Sequence, residues 1–197
     1  MANETGHFYL QAPPYIRDLT ELLPQNSLVL DMGSGEGNNG NFIAQHGHRV
    51  VSVENDLDAA KNGHRILRAI GNAGIRNSFV SGDMLHPMFG DEQFDAVIST
   101  ISLQHVTPIA NAELALKKIM ALTRPGGLNL VRVYIGDEQQ RQMKSDRFSV
   151  FEPPQLETMY ASENWTCVRK FKSPEPLKLD SNGGIQSVAQ VIVRKPV

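Results

Sequence analysis

The fold is decided by residues 28–37, whose sequence is Leu-Val-Leu-Asp-Met-Gly-Ser-Gly-Glu-Gly. The apolar start predicts a buried β-strand, and the glycines after it predict a loop in which the backbone approaches a ligand closely. Residues 38–46 continue as a predicted helix that ends at Gly47. Because the free amides at the start of a helix are electropositive, the strand, loop and helix together predict a binding site.

The carboxylate of Glu54 predicts that the ligand contains a ribose. Residues 49–54 form the next predicted strand, and Glu54 lies 21 positions after Gly33. A carboxylate at this distance can accept hydrogen bonds from both ribose hydroxyls of a nucleotide. The dinucleotide pattern would require glycine at position 38, which is Asn38, and Asp31 beneath the loop would repel a pyrophosphate. S-adenosylmethionine, which is cationic and has no phosphate, therefore fits better than NAD.

Strands and helices alternate along the first two thirds of the sequence. Further strands are predicted at 76–81, 94–100 and 128–135, and further helices at 15–23, 56–69 and 111–123. This alternation is typical of an α/β fold with a doubly wound, mostly parallel, Rossmann-like sheet. After a helix predicted at 153–161, the runs 165–171 and 187–194 have no helix between them, which predicts an antiparallel pair.

Length, charge and cysteine content limit the class of protein. The 197 residues fit one domain, in which we expect a leader and helix at 1–24, a cofactor-binding core at 25–135, and a C-terminal helix and strand pair at 136–197. A net charge of −2 provides no basic field for nucleic acid, and a single cysteine excludes a disulfide within the chain. No apolar stretch is long enough to span a membrane. These features predict a cytoplasmic protein that acts on a small molecule.

Five runs of the sequence together resemble class I S-adenosylmethionine-dependent methyltransferases. They are 29–37, Val53-Glu54, Gly82-Asp83-Met84, 94–100 and 124–128. Within this superfamily the sequence is most similar to the tellurite-resistance methyltransferase family, in residues 123–130 and in the tail. The resemblance implies a seven-stranded sheet with an antiparallel last strand and S-adenosylmethionine as the cofactor. It also implies methyl transfer to a soft acceptor such as a thiol or a selenium or tellurium oxyanion.

The predicted cofactor site combines the glycine loop with side chains at the ends of neighbouring strands. Asp31 would face the positive charge of the cofactor, and Glu54 would bind the ribose. Asp83 would accept a hydrogen bond from the adenine amino group, and Met84 would cover the adenine ring. The full set of predicted cofactor-binding residues is Asp31, Gly33, Ser34, Gly35, Asn39, Glu54, Asn55, Asp83, Met84 and Thr100.

Two residues are candidates for catalysis on the acceptor side. His105 follows the fourth strand, and imidazoles titrate near neutral pH, so it is either a base for a hydroxyl acceptor or a packing residue of the loop. Where the tellurite family has a His-Arg pair and a further Arg, this sequence has Leu177, Lys178 and Ile185. Lys178 alone keeps a positive charge there and is the second catalytic candidate.

Several residues and functions have more than one interpretation. Arg132 and Tyr134 could reach an anionic or aromatic acceptor, although packing on the strand is the simpler interpretation. His46 and His48 have no acidic or histidine partners nearby in sequence, so they are interpreted as surface-loop residues and no metal site is predicted. The missing basic residues of the tellurite family leave a second hypothesis, a non-catalytic module that binds S-adenosylmethionine or a partner. A nicotinamide oxidoreductase is the third and is disfavoured by the loop sequence.

Overall fold

The computed structural model describes residues 12–70, 76–138, 141–142, 148–171, 177–178 and 185–197. Its main helices are α1 (Pro14–Leu22), α2 (Asn38–Gln45), α3 (Leu57–Ile70), α4 (Ile109–Leu122) and α5 (Gln155–Ser162). Its strands are β1 (Leu28–Met32), β2 (Arg49–Glu54), β3 (Arg76–Ser81), β4 (Phe94–Thr100), β5 (Thr123–Ile135), β6 (Thr166–Lys170), β7 (Leu177–Lys178) and β8 (Ile185–Arg194). A 3-10 turn, Leu103–His105, follows β4.

The strands form one mixed sheet in the order β3-β2-β1-β4-β5-β8-β6, and β7 pairs with the start of β8. The pairs from β3 to β5 are all parallel, whereas β8 runs antiparallel to β5 and to β6. This arrangement confirms the doubly wound, mostly parallel sheet with an antiparallel last strand. The sequence pattern does not predict β7, because two residues are too short to have a periodicity.

The sheet buries apolar side chains on both faces. In β4, Val97 packs into a cluster with Leu116 of α4 and Leu156 of α5. Its neighbour Ile98 belongs to the opposite cluster, which includes Ile16 of α1. Because parallel strands here are covered on both faces, their sequences are continuous apolar runs rather than alternating ones. The two layers hold the carboxyl ends of β1 to β4 together at one edge of the sheet.

The strand after α4 begins earlier than its sequence predicts. Residues 124–127 were expected to lie in a loop before a strand at 128–135, but β5 already begins at Thr123. Thr123 pairs with Phe94, and the pairing resumes only at Leu128 with Ala96, so the intervening residues form an irregular stretch. Gly126 has a φ of +73° there, a conformation that glycine adopts without strain. Among the described helices, none has the length and hydrophobicity needed to cross a membrane.

Candidate active site

A cavity of about 470 Å³ opens at the carboxyl ends of β1, β2, β3 and β4. Its volume lies within the range of roughly 300–1,000 Å³ that is typical of small-molecule sites. Ligands of doubly wound sheets bind at this edge. The structure brings six of the predicted cofactor-binding residues together in the wall of this cavity: Gly33, Gly35, Glu54, Asn55, Asp83 and Met84.

The glycine loop after β1 is held tightly on one side and open on the other. The backbone amides of Gly33 and Ser34 donate hydrogen bonds to the carbonyl of Val53, at 2.9 and 3.0 Å. A Cβ atom on Gly33 would lie 2.4 Å from the Cβ of Ser102, whereas one on Gly35 would meet no atom within 4 Å. Both glycines have positive φ values, +73° and +55°. The loop therefore needs glycine at both positions, and Gly35 leaves its backbone accessible from the cavity.

Glu54 at the end of β2 organises this loop from below. One carboxylate oxygen accepts a hydrogen bond from the Gly35 amide at 2.7 Å. The other accepts hydrogen bonds from the amides of Asn55 and Asp56, at 2.8 and 2.9 Å. A carboxylate has about four acceptor positions, so these bonds leave room for a ligand hydroxyl. The sequence identified Glu54 as a ligand residue but gave no sign of its bond to Gly35.

Asp31 lies beneath the loop at the end of β1 and is 1% exposed. One of its oxygens accepts a hydrogen bond from the amide of Gly40 at 3.2 Å. Burial raises the pKa of Asp31 to about 7, the Gly40 bond lowers it, and the charge of Glu54 raises it further. Asp31 does not line the cavity, so its predicted role would act through the field beneath the loop rather than through contact.

Three other predicted cofactor-binding residues do not line the cavity: Ser34, Asn39 and Thr100. The side-chain amide of Asn39 in α2 donates a hydrogen bond to the hydroxyl of Thr100 at 2.8 Å, which ties α2 to the end of β4. The hydroxyl of Ser34 is buried and has no hydrogen-bond partner among the described residues. None of the three lines the cavity, and their roles toward a cofactor stay predictions.

The loop after β3 contributes Asp83 and Met84. Asp83 accepts hydrogen bonds from the amide of Leu85 at 2.9 Å and from the ring of His86 at 3.2 Å. These two bonds hold the pKa of Asp83 below its usual value, so its carboxylate is ionised at neutral pH. The terminal methyl of Met84 lies 3.1 Å from the position that a Cβ on Gly33 would occupy. Both residues therefore line the cavity, and Met84 does so beside Gly33 of the glycine loop.

The residues that follow β4 form the remaining wall, of which only His105 was named from the sequence. Ile101, Ser102 and Val106 line the cavity there. Ile101 has a φ of +55°, which is strained for a β-branched residue, and its amide donates to the carbonyl of Arg132 at 2.9 Å. The hydroxyl of Ser102 bonds to that of Ser99 at 2.6 Å and donates to the carbonyl of Met32 at 3.1 Å. Only tertiary contacts fix these positions.

The two catalytic candidates are placed differently. His105 ends the 3-10 turn, lines the cavity and has an exposed side chain. Its ring centroid lies 5.3 Å from that of Phe148, edge to face. The backbone of Lys178 lies in β7, paired with Ile185, and the side chains of both residues lie outside the described part. A role for Lys178 stays a prediction.

The histidines near α2 do not both lie on the surface. His46 is partly exposed, but His48 is 2% exposed, so the surface-loop interpretation is wrong for His48. Burial lowers the pKa of His48, so its imidazole is neutral, which makes burial between packed elements tolerable. The described residues contain no group of three or more potential metal ligands.

The charges of the cavity wall test which nucleotide fits. Three carboxylates line it, those of Glu54, Asp56 and Asp83, and no described lysine or arginine does. Such a wall attracts a cation and repels a polyanion. A pyrophosphate would have no cationic partner there, whereas the sulfonium and ammonium of S-adenosylmethionine match the sign of the field. The residues therefore fit S-adenosylmethionine and not a nicotinamide dinucleotide.

A family model described as "Methyltransferase domain" matches residues 29–127. The chain is 29% identical over 100 residues to a demethylmenaquinone methyltransferase of Thermobifida fusca, a match that covers 51% of this chain and 40% of that enzyme. The chain thus spans less than half the length of the curated relatives that it matches.

Two solved structures show the likeness of the fold. A S-adenosylmethionine-dependent methyltransferase from Methanosarcina mazei has a TM-score of 0.73 and 16% identity, over 95% of this chain and all of that one. TehB from Haemophilus influenzae has a TM-score of 0.75 and 20% identity, over 93% of this chain and 62% of that one. At these identities the likeness shows the fold alone.

Proposed function

The chain belongs to the methyltransferase-domain family, whose cofactor is S-adenosylmethionine, and we propose that it transfers the methyl group to a small molecule with a soft nucleophilic atom. The observation that carries the proposal is the cavity wall, in which a glycine loop and three carboxylates meet without any described lysine or arginine. When bound, S-adenosylmethionine supplies a methyl group that is already activated by a positively charged sulfur.

Residues of the cavity wall would hold the cofactor. Glu54 would accept a hydrogen bond from a ribose hydroxyl at the acceptor position that its three backbone partners leave free. Asp83, ionised and half-exposed, would accept from the adenine amino group, and Met84 would pack against the ring. The backbone at Gly35 offers a close approach without side-chain obstruction. Together these residues would fix the orientation of the cofactor relative to the exit of β4.

The acceptor side would mainly align the nucleophile and exclude water. A thiol, selenide or tellurium nucleophile needs no strong base, and His105 is the one histidine in the cavity wall as far as the structure describes it. An imidazole nitrogen of His105 would take the proton that a thiol or hydroxyl acceptor releases. His105 is exposed, and one side of its ring lies against the ring of Phe148.

The tellurite chemistry is the finer part of this proposal. What supports it is the resemblance of residues 123–130 and of the tail to the tellurite-resistance family. Of the three positions at which the family has basic residues, only Lys178 keeps one. We therefore place thiols first among the soft acceptors and tellurium or selenium oxyanions second. The cytoplasmic location expected from the sequence also stays a prediction.

Two measurements test the proposal. Calorimetric titration with S-adenosylmethionine and S-adenosylhomocysteine should detect binding, and the absence of binding at millimolar ligand would overturn it. Incubation with methyl-labelled cofactor and a panel of thiols, selenite, tellurite, phenols and amines should then identify a methylated product. Tight cofactor binding with no product from any acceptor would instead support the non-catalytic module.

We expect the substitution Glu54→Gln to raise the dissociation constant for S-adenosylmethionine by about 10- to 100-fold, since charged hydrogen bonds contribute about 1.5–3 kcal/mol. Glutamine keeps the size of the side chain and one acceptor oxygen, but it loses the charge and part of the bonding to Gly35 and Asn55. Calorimetry measures the effect. Asp58→Asn is the matched control, because Asp58 is an exposed carboxylate on α3 outside the cavity wall. Equal affinities of the two variants would reject the ribose role.

A further inference from the structure

Arg132 is a half-buried cation that lies directly beside the donor cavity without lining it. On β5 it pairs in register with Thr100 at the end of β4 and with Gln190 of β8. The backbone carbonyl of Arg132 accepts a hydrogen bond from the amide of Ile101, and Ile101 lines the cavity. Arg132 therefore lies at the carboxyl edge of the sheet, one residue from the site where the cofactor is proposed to bind.

Among the described residues, the guanidinium of Arg132 contacts a tyrosine and no carboxylate. Its Nη1 donates a hydrogen bond to the hydroxyl of Tyr15 at 3.1 Å, and its Cζ lies 5.3 Å from the centre of the Tyr15 ring. Its Nε is buried and has no hydrogen-bond partner among the described residues. By contrast, Arg124, Arg141 and Arg169 each form an ion pair with a carboxylate. No described carboxylate pairs with Arg132, so within the described part of the chain this partly desolvated cation has no counter-charge.

Aromatic side chains connect this cation to the cavity. The ring of Phe148 lies 5.3 Å from His105 in the cavity wall and 5.9 Å from Tyr134. Burial raises the pKa of Tyr134 while the charge of Arg132 lowers it, which reflects how close the two side chains are on β5. Ile101 of the cavity wall packs against the same aromatic cluster. The residues between His105 and Arg132 thus form an apolar and aromatic cluster, and Arg132 is the cation beside it on β5.

We propose that the methyl acceptor is an anion, and that a carboxylate or similar oxyanion on it pairs with Arg132 while its nucleophilic atom faces the donor cavity. This inference rests on the proposed function, because it names the acceptor class for the same site. The planar guanidinium presents parallel N–H groups that match a carboxylate, which a surface lysine would not do. Such an acceptor would supply the counter-charge that no described residue gives to Arg132, through its terminal Nη groups.

The test compares an anionic thiol with a neutral one of similar shape. Binding of 2-(sulfanylmethyl)benzoate and of phenylmethanethiol, whose alkyl thiols stay protonated at neutral pH, is measured by calorimetry, on the protein saturated with S-adenosylhomocysteine and on the protein alone. We expect the acid to bind at least about tenfold more tightly than the neutral thiol, and Arg132→Gln to abolish that difference. Arg17→Gln is the matched control, because Arg17 is exposed on α1, two positions after Tyr15. It should leave the preference unchanged.

The outcomes separate this inference from the proposed function. If S-adenosylhomocysteine binds but the wild type shows no preference for the acid, or does not bind it, the anionic acceptor is wrong and the methyltransferase proposal stands. If S-adenosylhomocysteine does not bind, the methyltransferase proposal fails, and the titration without cofactor still decides whether Arg132 receives an anion. If Arg132→Gln does not fold, Arg132→Lys replaces it. We expect this variant to keep a reduced preference, because its charge remains but its paired donors are lost; an unchanged preference would contradict the role of the guanidinium.

Discussion

Replacing Gly33 with alanine is expected to lower the free energy of unfolding by about 2–5 kcal/mol, the sum of left-handed strain and overpacking. The strain arises because Gly33 has a φ of +73°. The overpacking arises because a new Cβ would lie 2.4 Å from the Cβ of Ser102 and 2.8 Å from its hydroxyl. Ser102 cannot move freely, since its hydroxyl is bonded to Ser99 and Met32. Urea unfolding of the ligand-free protein measures the change.

The same substitution should weaken S-adenosylmethionine binding at least about tenfold, because the cavity wall contains both Gly33 and Ser102. Gly35→Ala is the matched control for stability. Its φ of +55° produces similar strain, but its Cβ meets no atom within 4 Å, so only about 1–2 kcal/mol should be lost. Ser102→Gly by itself loses the bonds to Ser99 and Met32, so the four proteins of a double-mutant cycle are compared, and the coupling energy between Gly33→Ala and Ser102→Gly should equal the overpacking part. Equal losses for Gly33→Ala and Gly35→Ala would contradict the close approach to Ser102.

The extent to which the sequence predicts this fold depends on how local each signal is. The strands Arg49–Glu54, Arg76–Ser81 and Phe94–Thr100 have the predicted bounds. Each is a short run that ends at a polar or charged residue, and that information is contained in the run itself. The start of β5 is not local, because Thr123 joins the strand only through its pairing with Phe94, across a stretch that contains proline and glycine. Burial of His48 likewise depends on the elements packed around it.

The residues of the candidate site also differ in whether the sequence around them is enough to identify them. The glycine loop, Glu54 and Asp83 are recognisable because each directly follows a strand, and parallel strands bring their ends to one edge. Ser102 and Ile101 were missed as individual residues, since their places in the wall depend on contacts with Gly33 and with β5. The bond between Arg132 and Tyr15 joins residues 117 positions apart and has no local signature. Sequence spacing thus finds the donor half of such a site more readily than the acceptor half.

Asp31→Asn is expected to stabilise the ligand-free protein by up to about 4 kcal/mol at pH 8, by only about 1.5 kcal/mol at pH 5, and hardly at all below about pH 4. The carboxyl of Asp31 is 1% exposed, and burial raises its pKa to about 7. In an unfolded chain an aspartate has a pKa of about 3.9. Between about pH 3.9 and about pH 7, the folded protein keeps a proton on Asp31 that the unfolded chain releases. The contribution of Asp31 to the free energy of unfolding is therefore fully present below about pH 4 and is lost as the pH rises through about 7. Urea unfolding between pH 5 and pH 8 measures the difference.

The asparagine variant also separates a structural role of Asp31 from a role in binding. Its side-chain oxygen can still accept the hydrogen bond from Gly40, so the local structure should persist. If the buried charge serves a cationic cofactor, the variant should be more stable than the wild type at pH 8 and yet bind S-adenosylmethionine about tenfold less tightly. The difference in S-adenosylmethionine affinity between Asp31→Asn and the wild type should become smaller at pH 6, where the carboxyl of Asp31 is largely protonated. Asp58→Asn should change neither property, because Asp58 is exposed. If the free energy of unfolding of Asp31→Asn and of the wild type changes with pH in the same way, the raised pKa is wrong. If the variant binds S-adenosylmethionine as tightly as the wild type at pH 8, the role of Asp31 is limited to its bond with Gly40 of α2.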